Sequence, residues 1–324
     1  MVDRSTRGAV MAGTSVAERG LRKNAPAASG GGRKRGRLLP HGLPWILPAL
    51  VLCIGLIYYC IWYTAVISTW DWDGIDPNPE KVGAENYIRI AQDPIFWGTI
   101  RHTVVFFVVT FVAQTLLGLV FAVLMHSKVK LAVVYKVIIF IPVVLAPAIT
   151  APVFRAIFAP DGQFNWLLEH VGLGFLAQPW IGQESTALPV IMAVTVWHWT
   201  GITFVLYFAA MGQIDQSIIE AARIDGAGNF RTLVHIIWPG VRGTTLAMAI
   251  LSAIGALKTF DIPYLITVGG PNYATEFLGT YIYRKTIPQS HVGYGAALSI
   301  ILLVLALVMA LILQVRGGER RVVR

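Results

Sequence analysis

Charge is scarce in this chain. Only 13% of its 324 residues are charged while 56% are hydrophobic. Soluble domains carry about 25% charged residues, so a soluble enzyme or carrier is excluded and most of the chain is expected in lipid. Cysteine is nearly missing too. Cys53 and Cys60 both fall in the first apolar run, where inert packing is expected rather than a disulfide or metal site. The 7 histidines are scattered, and none stands at metal-ligand spacing from Asp, Glu or Cys. No P-loop signature is present, so this chain is not expected to hold ATP in a P-loop. No regular series of arginines runs through an apolar segment, which counts against a voltage sensor. The apolar runs are also nearly clean of reactive polar side chains, which disfavours an intramembrane protease or a lipid-modifying enzyme. Neither a catalytic constellation nor a cofactor site is expected.

What charge there is sits mostly at the ends. The net charge of +9 is concentrated there, which reads as a topology signal rather than nucleic-acid binding. Residues 1–38 are rich in Gly, Ala, Ser, Arg and Lys and are expected to be a disordered, basic cytoplasmic tail. No short apolar core with a small-residue exit marks a cleaved signal peptide. Residues 39–318 form the expected transmembrane domain, and 319–324 a second cytoplasmic tail. Within the domain, apolar runs at about 44–66, 100–124, 131–158, 188–211, from 244 onward, and 292–313 predict six spans. The acidic segment with Asp71, Asp73, Asp76, Glu80 and Glu85 belongs outside. The loop at 159–186 has no Lys or Arg and also belongs outside, whereas Arg223, Arg231 and Arg242 hold their loop inside. The predicted fold is therefore all-α and polytopic, with both termini cytoplasmic; Arg284-Lys285, falling outside, is its one exception. Pro142, Pro147 and Pro152 require the third span to be kinked and packed by protein neighbours.

The longest inward loop, between spans four and five, carries its own folding signals. Ser217 and Glu220 have capping-box spacing, so a helix is expected to start there. Gly226 suits its end, Asn229 can cap a second short helix, and Pro239 bounds that one. The product is a compact knob, slim on the side of Ala221 and Ala222. From these signals alone, an amphipathic loop resting on lipid headgroups is an equal reading.

Two further places break the apolar pattern. In the fifth span Ser252, Gly255, Ala256 and Thr259 recur at i, i+3, i+4 and i+7, placing small or hydroxylic side chains on one helical face. Close helix packing explains that face, since Ser252 and Ala256 form a small-xxx-small pair; a wall of a polar pathway explains it as well. Lys258 and Asp261 are spaced to neutralise each other near the outer boundary, and Pro263 suggests a broken helix, as at transport sites. In the fourth span Trp197 and Trp199 offer aromatic faces suited to sugar rings, against the alternative of an interfacial belt. His198 between them reads as a packed, neutral histidine.

The central loop resembles the EAA signature of the membrane subunits of bacterial ABC importers. Glu220-Ala221-Ala222, Gly226 and Ile236-Ile237-Trp238-Pro239 carry the match; Trp238 replaces the usual leucine, and Gly243 stands where a second proline is common. Asn86-Tyr87, Asp93-Pro94-Ile95-Phe96-Trp97, Asn165 with its neighbours, Phe260-Asp261, Gly269-Gly270-Pro271 and Tyr281-Ile282-Tyr283 are similar to segments of carbohydrate permeases, specifically the first membrane subunit of the maltose type. The resemblance implies a coupling helix in the loop between helices 4 and 5, with Glu220, Ala221, Ala222, Asp225 and Gly226 docking onto an ATPase. It also implies solute contacts at Trp197, Ser252, Gly255, Ala256 and Thr259. The implied partners are a second homologous permease subunit, two copies of a cytoplasmic ATP-binding subunit, an extracellular solute-binding protein, membrane lipid and a di- or oligosaccharide, in the bacterial cell membrane. A polyol or glycerol phosphate importer is the alternative within the class. A self-contained secondary transporter is the alternative outside it.

Overall fold

The structure is a computed structural model, and it describes residues 43–126 and 130–318. The expected tails at 1–38 and 319–324 lie outside the described residues. The chain divides after Cys53 into two units. The described part of the first is the opening of helix α1 (Leu43–Ile67), whose apolar side chains from Trp45 to Leu52 are largely exposed. The second unit holds all other elements. Cys53 and Cys60 are free and exposed, not packed as their sequence context suggested, because they lie on a helix that buries few of its side chains within this chain.

A two-residue antiparallel hairpin follows, β1 (Trp70–Asp71) against β2 (Glu80–Lys81), then α2 (Glu85–Gln92). Buried Asn86 ties α2 to the end of α1 by donating its amide N–H groups to the carbonyls of Ser68 and Trp70, at 3.0 and 2.9 Å. Helix α3 (Pro94–His126) starts at Asp93, whose carboxylate accepts hydrogen bonds from Tyr281 and Tyr294. Those tyrosines belong to α13 (Leu278–Thr286) and α14 (Val292–Gly318).

The proline-rich third run is a pair, α4 (Ala132–Val144) and α5 (Pro147–Ile157), meeting at 94°. Pro147 causes the break. A residue before proline is driven out of the helical region, and Ala146 accordingly sits at φ −63°, ψ 138°. The bend is thus sharper than the kink expected, and α4 and α5 pack on different neighbours. Helix α6 (Gln163–His170) leads to the long α7 (Glu184–Met211). Helix α7 packs against both α3 and α4. Gly201 lets α7 approach α4 closely: a Cβ there would stand 2.7 Å from the Ile139 carbonyl oxygen. Small residues at such crossings are how membrane helices gain dispersion contacts when lipid offers no hydrophobic drive.

Next come α8 (Gln216–Ile224), then α9 (Asn229–Thr232), a π turn (Leu233–Ile237) and α10 (Trp238–Gly240) in near-continuous run. That run bends by 65° into α11 (Arg242–Leu257). Helix α12 (Asp261–Thr267) is separate from α11, with the break at 258–260. Pro263 falls in the first turn of α12, where a missing N–H costs nothing. No ion pair joins Lys258 to Asp261 among the described residues; both are exposed at the break.

Among the described residues, four helices are long and apolar enough to cross a membrane, or six if each bent pair counts as one span. Arg284, the exception to the charge rule, has its own partner: it donates to Glu276 at 2.7 Å and to the Val268 carbonyl at 2.7 Å. Burial pushes the Glu276 carboxyl up, against the opposing pull of Arg284. Lys285 stands over the rings of Tyr281 and Tyr294. Local neutralisation and cation–π contact thus accommodate both cations.

Candidate functional site

Buried residues of α3, α7 and the segment from Ile237 through α11 contribute to two apolar clusters with polar positions between them. Phe106, Val194 and Ala256 belong to one cluster, and Leu119, Phe204, Tyr207 and Val241 to the other. In the interval lies a cleft of about 370 Å³. Thr110 and Gln114 line it from α3, Thr195, Trp199 and Thr203 from α7, and Ser252, Gly255, Ala256 and Thr259 from α11 and the residues after it. Asp261 lines its edge and is the one charged residue among the described lining; Lys258 is not part of the lining.

The hydroxyls are arranged to receive. Thr110, Thr195 and Thr259 each donate to the carbonyl one turn back, at 2.6, 2.8 and 3.0 Å. Their oxygens therefore keep lone pairs for an incoming donor. Gln114 gives one N–H to the Thr195 carbonyl at 3.4 Å, leaving its amide oxygen for another partner. The Thr203 hydroxyl is buried without a hydrogen-bond partner. Space opens at Gly255, where a Cβ would meet nothing within 4 Å. Ala256, by contrast, is packed into the apolar cluster against Phe106 and shapes the wall rather than adding a contact.

The four small-residue positions of the fifth span thus share one cleft, but Trp197 is not in it. Two residues on a helix are about 200° apart, so Trp197 and Trp199 face opposite ways. Trp199 lines the cleft, while Trp197 lines a second, apolar cleft against α3 and α4 and packs edge-on against Phe154, with ring centroids 4.9 Å apart. His198 between them is buried. The signal that marks the α7 wall is Thr195, Trp199 and Thr203 at i, i+4 and i+8, with Thr110 and Gln114 answering it from α3.

At the far end of α7 stands the knob. Its cap is Asp215, which accepts from the Ser217 N–H at 2.9 Å, so α8 starts before Ser217 and the Ser217–Glu220 capping box does not form. That hydrogen bond holds the Asp215 carboxyl below the ordinary carboxylate range. Helix α8 closes in a Schellman motif: the Ala227 N–H donates to Ala222 O at 2.8 Å, the Gly226 N–H to Arg223 O at 3.1 Å, and Gly226 has φ +77°. Asn229 is the first residue inside α9; Gly228 holds the capping position. Pro239 lies within α10, and the run ends one residue beyond it, at Gly240.

Glu220, Ala221, Asp225 and Gly226 are exposed together, with Ala222 half-buried. Around them Ile218, Ile224 and Phe230 are 51%, 87% and 76% exposed. This apolar rim, which no sequence signal marked, suits a protein partner better than water. The knob is anchored by Ile237 and Val241, which join Phe204, Tyr207 and Met211 in the inner apolar cluster. The Tyr207 hydroxyl donates to Thr245 Oγ1 at 3.0 Å, linking α7 to α11. From Tyr207 to Trp199 is about 12 Å along the helix at 1.5 Å per residue.

Residues 114–322 match the family of binding-protein-dependent transport system inner membrane components. Among curated relatives, the probable ABC transporter permease protein YurN of Bacillus subtilis is 30% identical over 270 residues, covering 82% of this chain and 92% of that one. The trehalose/maltose transport system permease protein MalF of Thermococcus litoralis is 31% identical, covering 86% and 94%. A chain of a bacterial ABC transporter involved in the import of the acidic polysaccharide alginate superimposes with a TM-score of 0.69 at 20% identity, over 87% of this chain and 99% of that one.

Proposed function

The chain belongs to the binding-protein-dependent transport system inner membrane components, and on that premise we propose that it is a membrane subunit of an ATP-driven importer of di- or oligosaccharides. It is a multi-pass protein of the cell membrane and a transport component rather than an enzyme. The observation that carries the sugar reading is the cleft. Trp199 offers an aromatic ring to the C–H face of a sugar, while Gln114, Thr195, Ser252 and Thr259 surround it with acceptors and donors for hydroxyls. Its volume of about 370 Å³ lies in the usual range for small-molecule sites, roughly 300–1,000 Å³. The trehalose/maltose relative supports the same substrate class. A phosphorylated solute fits less well, because the charged lining residue, Asp261, is negative.

In this reading residues 39–318 are the transmembrane domain. Each bent helix pair makes one span, giving six, with both termini cytoplasmic in keeping with the positive-inside bias. The partners are a second, similar permease subunit, two ATP-binding subunits inside and a solute-binding protein outside. Glu220 anchors the knob to an ATPase subunit, Ala221 and Ala222 keep its docking side slim, and Asp225 and Gly226 set its angle. Closure of the ATPase pair on ATP pushes the knob. The packing of Ile237 and Val241 on α7 passes the movement to the helices that wall the cleft, which alternately faces the two sides of the membrane; hydrolysis resets it.

The test is uptake of labelled mono-, di- and oligosaccharides by a strain lacking the chain, with and without its restoration. Loss and rescue for one sugar family is the expected result. Unchanged uptake of every sugar, with growth lost on a polyol, would overturn the substrate assignment.

A further inference from the structure

The side of α3 and α7 turned away from the Trp199 cleft carries a groove that the transport reading does not use. Because the chain turns by 94° after α4, α5 packs on α12 instead of continuing along α7. Helix α4 therefore covers only the inner half of the seam between α3 and α7. There the seam is an apolar cleft of about 620 Å³, lined by Val109, Ala113, Leu117 and Phe121 of α3 with Ile139 and Pro142 of α4. Toward the outer end the same seam widens into a more polar pocket of about 760 Å³, which includes Arg101, Glu184, Ser185 and Asn272. Pro189 and Met192 line both spaces, so the two adjoin.

The pocket holds a cation and a carboxylate that do not neutralise each other. Arg101 is exposed and in no ion pair among the described residues. Glu184 is engaged by the Asn272 amide at 3.1 Å, which leaves its second oxygen available. We propose that this groove holds one phospholipid of the outer leaflet with a zwitterionic, primary-amine headgroup of the phosphatidylethanolamine type. Its phosphate sits at Arg101, its ammonium at Glu184, and an acyl chain runs down the seam. The dimensions agree. From Val105 to Leu117 is about 18 Å of helix, against roughly 15 Å for half of a 30 Å hydrocarbon core. A sugar would gain nothing from the apolar half, and a purely apolar partner helix would leave two charges facing it. The lipid satisfies both halves and would brace α3 against α7 where α4 is missing.

The test is lipid retention by the full-length chain purified in mild detergent, read by native mass spectrometry. The probes are palmitoyl-oleoyl phosphatidylethanolamine, phosphatidylglycerol and phosphatidylcholine, each titrated separately. Phosphatidylethanolamine should be retained best. Arg101→Ala should weaken it about fivefold, the worth of one interfacial arginine. Glu184→Gln should weaken phosphatidylethanolamine while sparing phosphatidylglycerol. Filling the groove with Ala113→Trp, or with Ala113→Leu where the larger variant does not insert, should reduce all three. Equal retention by wild type and the charge variants would overturn the proposal. So would a photo-crosslinker at position 113 that captures a protein subunit of the assembled transporter instead of lipid.

Discussion

Gly226 offers a graded test of the knob. Its φ of +77° closes the Schellman motif, and no atom lies within 4 Å of where a Cβ would be. The cost of a side chain there is therefore backbone strain alone. For an ordinary L-residue the left-handed region costs roughly 1–2 kcal/mol. In the free protein that strain can be relieved by letting the turn unwind. Docking must then select the closed turn from a smaller population, and apparent affinity falls by that fraction. At a tenfold change per 1.4 kcal/mol, Gly226→Ala should weaken ATPase docking about 5- to 30-fold. Asn tolerates the left-handed region, so Gly226→Asn should lose no more than about threefold. Gly226→Pro cannot reach positive φ and lacks the N–H that bonds Arg223, so it should abolish docking and uptake while leaving membrane insertion intact. The assay is titration of the ATPase subunit onto membranes bearing each variant, with uptake measured in parallel. Alanine binding like glycine, or asparagine failing like proline, would refute the reasoning.

Other residues give independent checks. Gly201→Leu drives a side chain against the Ile139 carbonyl, and such overpacking costs about 1–3 kcal/mol; a lowered melting temperature of the purified protein is the readout. Gln114→Leu removes an amide from the cleft, worth about 1 kcal/mol for one hydrogen bond. It should raise the KM for uptake about fivefold with unchanged expression. Asp93 responds to pH. Burial pushes its carboxyl up, but hydrogen bonds from Tyr281 and Tyr294 outweigh burial and hold it below the ordinary 3.8. A depressed carboxylate stabilises the fold above the unfolded value and loses that contribution as pH falls through the folded one. Thermal melts should therefore fall as pH drops below about 4, and Asp93→Asn should flatten that part of the slope.

Much of this architecture is legible in residue order. The apolar runs, the three prolines of the third run and the small-residue face from Ser252 to Thr259 are local patterns, and local patterns survive folding. The sharpness of the 94° turn is less legible, since proline spacing forbids a straight helix without saying which neighbours the two halves will meet. The capping positions differ by a residue or two because Asp215 and Gly228 compete with Ser217 and Asn229, and only backbone geometry decides between them. Trp197 and Trp199 are equal candidates by composition, and the resemblance to carbohydrate permeases implies Trp197. Helical phase relative to α3 puts Trp199, with Thr195 and Thr203, on the wall of one cleft and Trp197 on the wall of the other. The exposed rim of Ile218, Ile224 and Phe230 stays hidden in the sequence, because apolar residues on a short helix read as its packed face; Gln114 does interrupt its apolar run, but that it faces the cleft depends on the phase of α3.

The central claim is that a sugar passes through the cleft walled by α3, α7 and α11. The most direct measurement places a single thiol there, Ser252→Cys, in a chain whose exposed Cys53 and Cys60 are replaced by serine. Alkylation of that thiol is followed in the assembled transporter with and without the sugar that the strain takes up. The account predicts that the transported sugar slows alkylation, that a non-transported sugar does not, and that the alkylated thiol blocks uptake. Alkylation at one rate in every sugar, with uptake unaffected by the modification, would contradict it.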